Sequence, residues 1–186
     1  MIDLGVALTI GHLFGVILGA GGAFTSDLMF FKSVRDRVIS KVELDFMRLG
    51  SKLVWTGLII ILLTGTSLFL MNMDTYLASP KFLVKVTIVG IIISNGFFFH
   101  LSHIPRISRH TDTHYSSSDE FMRKRPWLLG SGVISMVSWI SAFLLGSLRS
   151  IPFSYVTAMG IYLAVIIIGI TIAYSIRNHL LPHHKH

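Results

Sequence analysis

The sequence predicts an all-α integral membrane protein, a single bundle of five transmembrane helices with its N-terminus outside and its C-terminus cytoplasmic. Three observations carry that prediction. Apolar runs of about 18 or more residues recur, each long enough to cross ~30 Å of hydrocarbon at ~1.5 Å per residue. At 52% hydrophobic and 13% charged over 186 residues, the chain has too little polar surface to cover a soluble globule. The connections between the runs alternate between strongly basic and nearly uncharged, and positive residues mark the cytoplasmic side.

The five runs are Ile2–Phe31, Leu44–Met71, Phe82–His100, Trp127–Leu148 and Tyr155–Ile176. The first has no basic leader and no small-residue cleavage signature, so it reads as a retained span and not as a signal peptide. The connection after it carries Lys32, Arg35, Arg37 and Lys41. The polar cytoplasmic loop 101–126 carries Arg106, Arg109, Arg123, Lys124 and Arg125, and the basic, His-rich tail 177–186 adds Arg177 and Lys185. Stretches 72–81 and 149–154 are short and nearly uncharged. Residues 1–186 thus form one transmembrane domain. The net charge of +7 sets orientation and meets anionic headgroups, so the expected surroundings are a lipid bilayer and not nucleic acid. Cysteine is absent, which excludes disulfides, thiolate metal sites, iron–sulfur clusters and covalently attached haem.

Candidate site residues begin with His12, a lone imidazole near the middle of the first run. At ~100° per residue, Gly5, Gly15, Gly19 and Ala23 fall within roughly 60° of it on one helical face. Two readings stand open. The imidazole is a ligand set in a smooth slot against which a flat cofactor lies, or the glycines are the means by which two membrane helices approach closely. Asp27 lies near the inner boundary, where it pairs with Arg48 or Lys52 or else snorkels with them into headgroups. Trp55 and Trp127 fit an aromatic belt at that level. Lys85, about one turn inside the outer boundary, either snorkels or meets an anion on the protein.

His100 and His103 are three residues apart on one helical face, and with His179 of the tail they offer a second, inner metal site. His110 and His114 add further imidazoles in the loop, whose ordinary role is solvation. Ser131, Ser135, Ser138 and Ser141 recur at three- and four-residue spacing and read as a helix-packing face. In the fifth run, Val165 to Ile168 read as lipid-facing. No nucleotide-binding glycine loop, nucleophile–base pair or paired carboxylates appear, so hydrolytic machinery is not visible.

Three patterns in order resemble a known group of small bacterial membrane proteins. The first is the His12 segment with its glycines. The second is a basic lead into the second run, Phe46-Met47-Arg48-Leu49-Gly50-Ser51-Lys52, with Thr64-Gly65 near the far end. The third is Lys81-Phe82-Leu83-Val84-Lys85 opening the third run and Phe97-Phe98-Phe99-His100 closing it. Together they resemble, over roughly residues 2–105, the superfamily of haem-carrying membrane protoporphyrinogen oxidases and copper-resistance D-type membrane proteins. The resemblance implies an inner-membrane location and the functional pair His12 and Lys85, with His12 as the axial ligand of b-type haem. Lys85, with Arg149 as a second candidate, would then pair with the haem propionates.

The expected function is that of a membrane b-type haem protein in electron transfer or oxidation of a membrane-borne substrate, the latter as a haem-dependent oxidoreductase. It would work with a redox partner, as an oligomer or as a subunit of a larger membrane complex. Two alternatives stand beside it. One is copper handling, in which His12, His100 and the cytoplasmic histidines form a relay. The other is a structural or transport subunit without a cofactor. By depth along the membrane normal, His12 and His100 are expected not to share one haem.

Overall fold

A computed structural model of the chain describes residues 3–35, 40–103, 105 and 119–176. Those residues form helices α1 (Leu4–Arg35), α2 (Lys41–Met71), α3 (Met73–Leu77), α4 (Pro80–Phe98), α5 (Asp119–Ser147) and α6 (Tyr155–Ser175). A π-helical turn, Phe99–His103, extends α4. Among the described residues, five helical segments are long and apolar enough to cross a membrane: Leu4–Phe30, Lys41–Met71, Pro80–Ser102, Pro126–Ser147 and Tyr155–Ser175. The span count and order expected from the sequence are therefore present.

Short polar side chains start the helices by accepting hydrogen bonds from backbone N–H groups that have no partner within the first turn. The Asp3 carboxylate accepts from the Gly5 N–H at 2.7 Å. Ser40 and Glu43 form a reciprocal capping box, with the Glu43 N–H donating to Ser40 Oγ at 3.2 Å and the Ser40 N–H to Glu43 Oε2 at 2.9 Å. That box starts α2 at Lys41, three residues before the apolar run. Ser79, followed by Pro80 at the first helical position, and Ser154 start α4 and α6 in the same way. The far end of α5 is closed from outside the helix. The Lys81 ammonium donates to the carbonyl of Leu148 and, at 3.5 Å, to that of Arg149. A cation there complements the negative end of the helix dipole.

Two differences from the sequence reading concern the loop 101–126. Its first residues belong to the π turn, and its last eight are helical, because α5 begins at Asp119 and runs through Pro126. In α6, Ile166 is buried in the core while Val165, Ile167 and Ile168 are exposed, so the apolar quartet is not uniformly outward.

Glycine organises the first helix pair. A Cβ added at Gly57 would lie 2.5 Å from the Gly15 carbonyl oxygen, and one at Gly22 would lie 2.7 Å from that of Gly50. Gly15 therefore faces Gly57 and Gly22 faces Gly50 across an antiparallel pair, and the backbones meet where side chains are absent. The core beneath is built from Leu58 and Ile61 of α2, Val84, Ile88 and Ile92 of α4, Trp139 of α5 and Tyr162 and Ile166 of α6. Within it the Tyr162 and Ser138 hydroxyls pair at 2.8 Å, and Ser138 donates onward to the Ile134 carbonyl. The periphery is the reverse of a soluble protein's: Ile17 is 68% and Val156 76% exposed, as suits a surface facing hydrocarbon.

Five crossings place the connection at Met73 and the start of α5 on opposite faces of the bilayer. Reporter fusions after Met73 and after Glu120 are expected to read out on opposite sides. Both on one side would overturn the five-helix count.

Candidate functional site: an imidazole, a lysine and two glycines

Toward the bundle end that holds the start of α1, four helices bring His12, Thr64, Gly65, Lys85 and Gly146 near one another. His12 is half-buried on α1, and its Nδ1 lies 3.1 Å from the Thr64 hydroxyl of α2. That hydroxyl also contacts the Ile60 carbonyl one turn back on its own helix, at 2.6 Å. A hydroxyl has one proton, and a carbonyl can only accept, so the Thr64 proton goes to Ile60. Thr64 must then accept from His12, so Nδ1 carries a proton, and in the neutral imidazole the lone pair sits on Nε2; the Ile61 carbonyl is a further acceptor beside the ring. This is the arrangement in which a second partner orients a metal-binding histidine and selects its ligating nitrogen.

Glycine makes room for the ring and for the lysine. A Cβ added at Gly65 would lie 3.2 Å from His12 Cε1, and one at Gly146 would lie 3.8 Å from the Lys85 Nζ. The Lys85 ammonium is near enough to act electrostatically on the imidazole. Lys81, one turn earlier on α4, is anchored to the end of α5 as described, which fixes the approach of α4 to α5 where Lys85 meets Gly146. Arg149 is exposed, and the contact it makes here is through its backbone carbonyl to Lys81.

Gly15 and Gly19, expected to form an open slot beside His12, are covered. Gly15 abuts Gly57 and Ile60, and a Cβ at Gly19 would collide with the Trp139 indole and with nothing nearer than it. The physical reason is the one that competed with the slot from the start: bare helix faces attract other helices. The glycines bordering the site are Gly65, which lay in one of the sequence motifs, and Gly146, which no local pattern marked.

His100 stands elsewhere. Its Nδ1 lies 3.3 Å from the Ser51 hydroxyl, at the opposite end of α2. Ser51 and Thr64 are 13 positions apart (64 − 51), which at ~1.5 Å per residue separates the two imidazole contacts by roughly 20 Å along that helix. The two histidines therefore lie too far apart to ligate one iron. His103 is in the π turn, while His179, His110 and His114 lie outside the described residues. Among the described residues no group of three or more His, Cys, Asp or Glu side chains is placed to hold a metal ion. Asp27, for its part, has Ser135 within hydrogen-bonding reach, whereas Arg48 pairs with Asp45 at 3.3 Å and Lys52 is exposed. No protein-family model, curated protein or solved structure matches the chain.

Proposed function

We propose that the protein is a multi-pass inner-membrane haem protein of the b type, with His12 Nε2 as an axial ligand, serving electron transfer or oxidation of a membrane-borne substrate. The observation that supports this reading is the Thr64 contact, which commits Nδ1 as a donor and, in the neutral ring, puts the lone pair on Nε2. The residues present fit iron ligation at His12. They do not fit a macrocycle laid on Gly15 and Gly19, which Gly57, Ile60 and Trp139 cover. Bound haem would supply one-electron chemistry at a potential set by its axial ligand and apolar surroundings. The chain's own part is to orient the imidazole, exclude water with apolar side chains and present the Lys85 ammonium to an anionic propionate.

The basic connections orient the bundle with its N-terminus outside, so the His12 site lies in the outer half of the membrane. Electron transfer from that depth calls for a redox partner or a larger membrane complex. Copper handling draws no support from the described histidines, since His12 and His100 are set apart along α2.

A visible spectrum of the purified protein tests the proposal. A Soret band that shifts on dithionite reduction is expected; bound copper without that band, or no chromophore, overturns it. Because His100 is remote, His100→Ala is expected to leave the spectrum of the His12-bound haem unchanged. Conversion from six- to five-coordinate iron in that variant would show that both histidines reach the same metal.

A further inference from the structure

A second polar feature lies toward the other end of the bundle, outside the His12 site. A cavity of ≈ 50 Å³ opens between α1, α2, α4 and α5, lined on its polar side by Ser26, Asp27, Ser51, Asn95, Ser131 and Ser135. It has room for about three to five water molecules. Most of these groups are already engaged. Asn95 and Ser131 are reciprocally bonded, the amide donating to the Ser131 carbonyl at 3.1 Å and the hydroxyl donating to the Asn95 Oδ1 at 3.0 Å. Ser51 contacts His100, and Ser135 reaches one side of the Asp27 carboxyl.

Two atoms are left over. Ser26 Oγ and Asp27 Oδ2 are buried and have no hydrogen-bond partner among the described residues, and Ser26 as a whole is only 6% exposed. A buried hydroxyl and a buried carboxyl oxygen without partners are unfavourable, and more so at membrane depth. The fold leaves both at a cavity wall, side by side on α1. Gly50 of α2 lies opposite, where any side chain would collide with the Ser26 hydroxyl.

The lining also says what kind of ligand is missing. Among the described residues Asp27 is its one titratable side chain, and no lysine or arginine joins it. Of the neighbouring ionisable groups, Arg48 is salt-bridged to Asp45, Lys52 is exposed, and His100 meets the cavity only through Ser51. The set is therefore a single carboxylate with hydroxyl and amide oxygens, hard donors without nitrogen or sulfur ligands. A divalent ion would leave an uncompensated positive charge in the bundle, whereas a monovalent one is neutralised.

We propose that this cavity is an intramembrane cation site, in which Asp27 and Ser26 hold a small hydrated monovalent cation, either hydronium or an ion of sodium's size. Ser51 and Ser131 contribute lone pairs to its water shell. The His100–Ser51 contact joins the cavity to an exposed side chain, which gives the cation a route of exchange at this end of the bundle. The site is roughly 20 Å along α2 from the Thr64 contact of His12, so it stands whether or not the protein carries haem.

Carbodiimide labelling of the full-length protein in detergent tests this. A protonated carboxyl adds across a C=N bond of dicyclohexylcarbodiimide, its proton passing to nitrogen, and the O-acylurea rearranges to a stable N-acylurea read by peptide mass spectrometry. Labelling at Asp27 is expected to rise several-fold as pH is lowered. If sodium chloride slows it several-fold relative to choline chloride at equal ionic strength, the cation is sodium-sized; if sodium has no effect, it is the proton. Absence of label at Asp27, or labelling indifferent to both pH and sodium, overturns the proposal. Ser26→Ala retains the carboxyl and is expected to shift the pH or sodium concentration of half-maximal labelling. No shift would remove Ser26 as a ligand and sink the site as proposed.

Discussion

His12→Ala is expected to reduce the haem content of the purified protein to background while the chain still inserts and elutes as a single species. The expectation follows from the network around the ring. With the Thr64 proton committed to the Ile60 carbonyl at 2.6 Å, the imidazole donates through Nδ1 and only Nε2 can bind iron. Alanine removes that nitrogen, and no other described histidine lies near enough to replace it, since His100 contacts α2 roughly 20 Å away along the helix. Thr64→Val gives the graded companion. It keeps the shape of the side chain and deletes the oxygen that orients the ring, so haem affinity should fall by about 10–100-fold without vanishing. Thr64→Ser, which keeps the hydroxyl, should restore most of it. Full haem content in His12→Ala would mean that the His12–Thr64 bond is helix glue, worth only about 1 kcal/mol within a membrane.

The five spans were legible because the physics that makes them is one-dimensional. A run of apolar residues long enough to cross hydrocarbon is visible in sequence, and the helices begin or end within a few residues of those runs. The errors fall at polar ends. α2 begins at Lys41 because Ser40 and Glu43 cap each other, a pattern that lies outside the apolar run. α5 begins at Asp119 because charged residues are tolerated in a helical turn that has left the hydrocarbon, so polarity there did not mean loop.

Sites were legible only where a single residue was anomalous in its own helix. His12 and Lys85 stood out against apolar neighbours, and the two lie toward the same end of the bundle. The other members are ordinary in sequence and become notable by proximity. Ser26, Ser51, Asn95 and Ser135 each lie on a different helix and have unremarkable neighbours, yet they line one cavity. The serine series on α5 read as a packing face, and the structure gives three of its four members separate tasks: Ser131 locks to Asn95, Ser135 faces Asp27, and Ser138 holds Tyr162. The glycine face of α1 could not be resolved from sequence because a cofactor slot and a helix contact need the same bare surface. What decided it was the matching pair on α2, Gly50 and Gly57, spaced like Gly15 and Gly22.

That match yields the second large effect. Gly57→Ala is expected to destabilise the protein by about 1–3 kcal/mol, the usual cost of forcing extra volume into a packed contact. The added methyl would lie 2.5 Å from both the Gly15 carbonyl oxygen and the Gly19 nitrogen, and 2.8 Å from Gly19 Cα. All three are backbone atoms, so no rotamer change relieves the clash and α1 must move away from α2. Gly21→Ala is the control on the same helix pair: nothing lies within 4 Å of a Cβ there. Alanine at that position should be neutral or stabilising by up to ~1 kcal/mol, because it restricts the unfolded chain and favours helix. Unfolding of the two variants in a mixed-micelle denaturant titration, followed by far-ultraviolet circular dichroism, gives the comparison directly. Moving α1 away from α2 also lengthens the His12–Thr64 contact two turns further along α2, so Gly57→Ala should lose haem affinity as well as stability. Equal stability of Gly57→Ala and Gly21→Ala would show that the two helices do not meet at Gly15 and Gly57, and the register that brings His12 to Thr64 would fail with it.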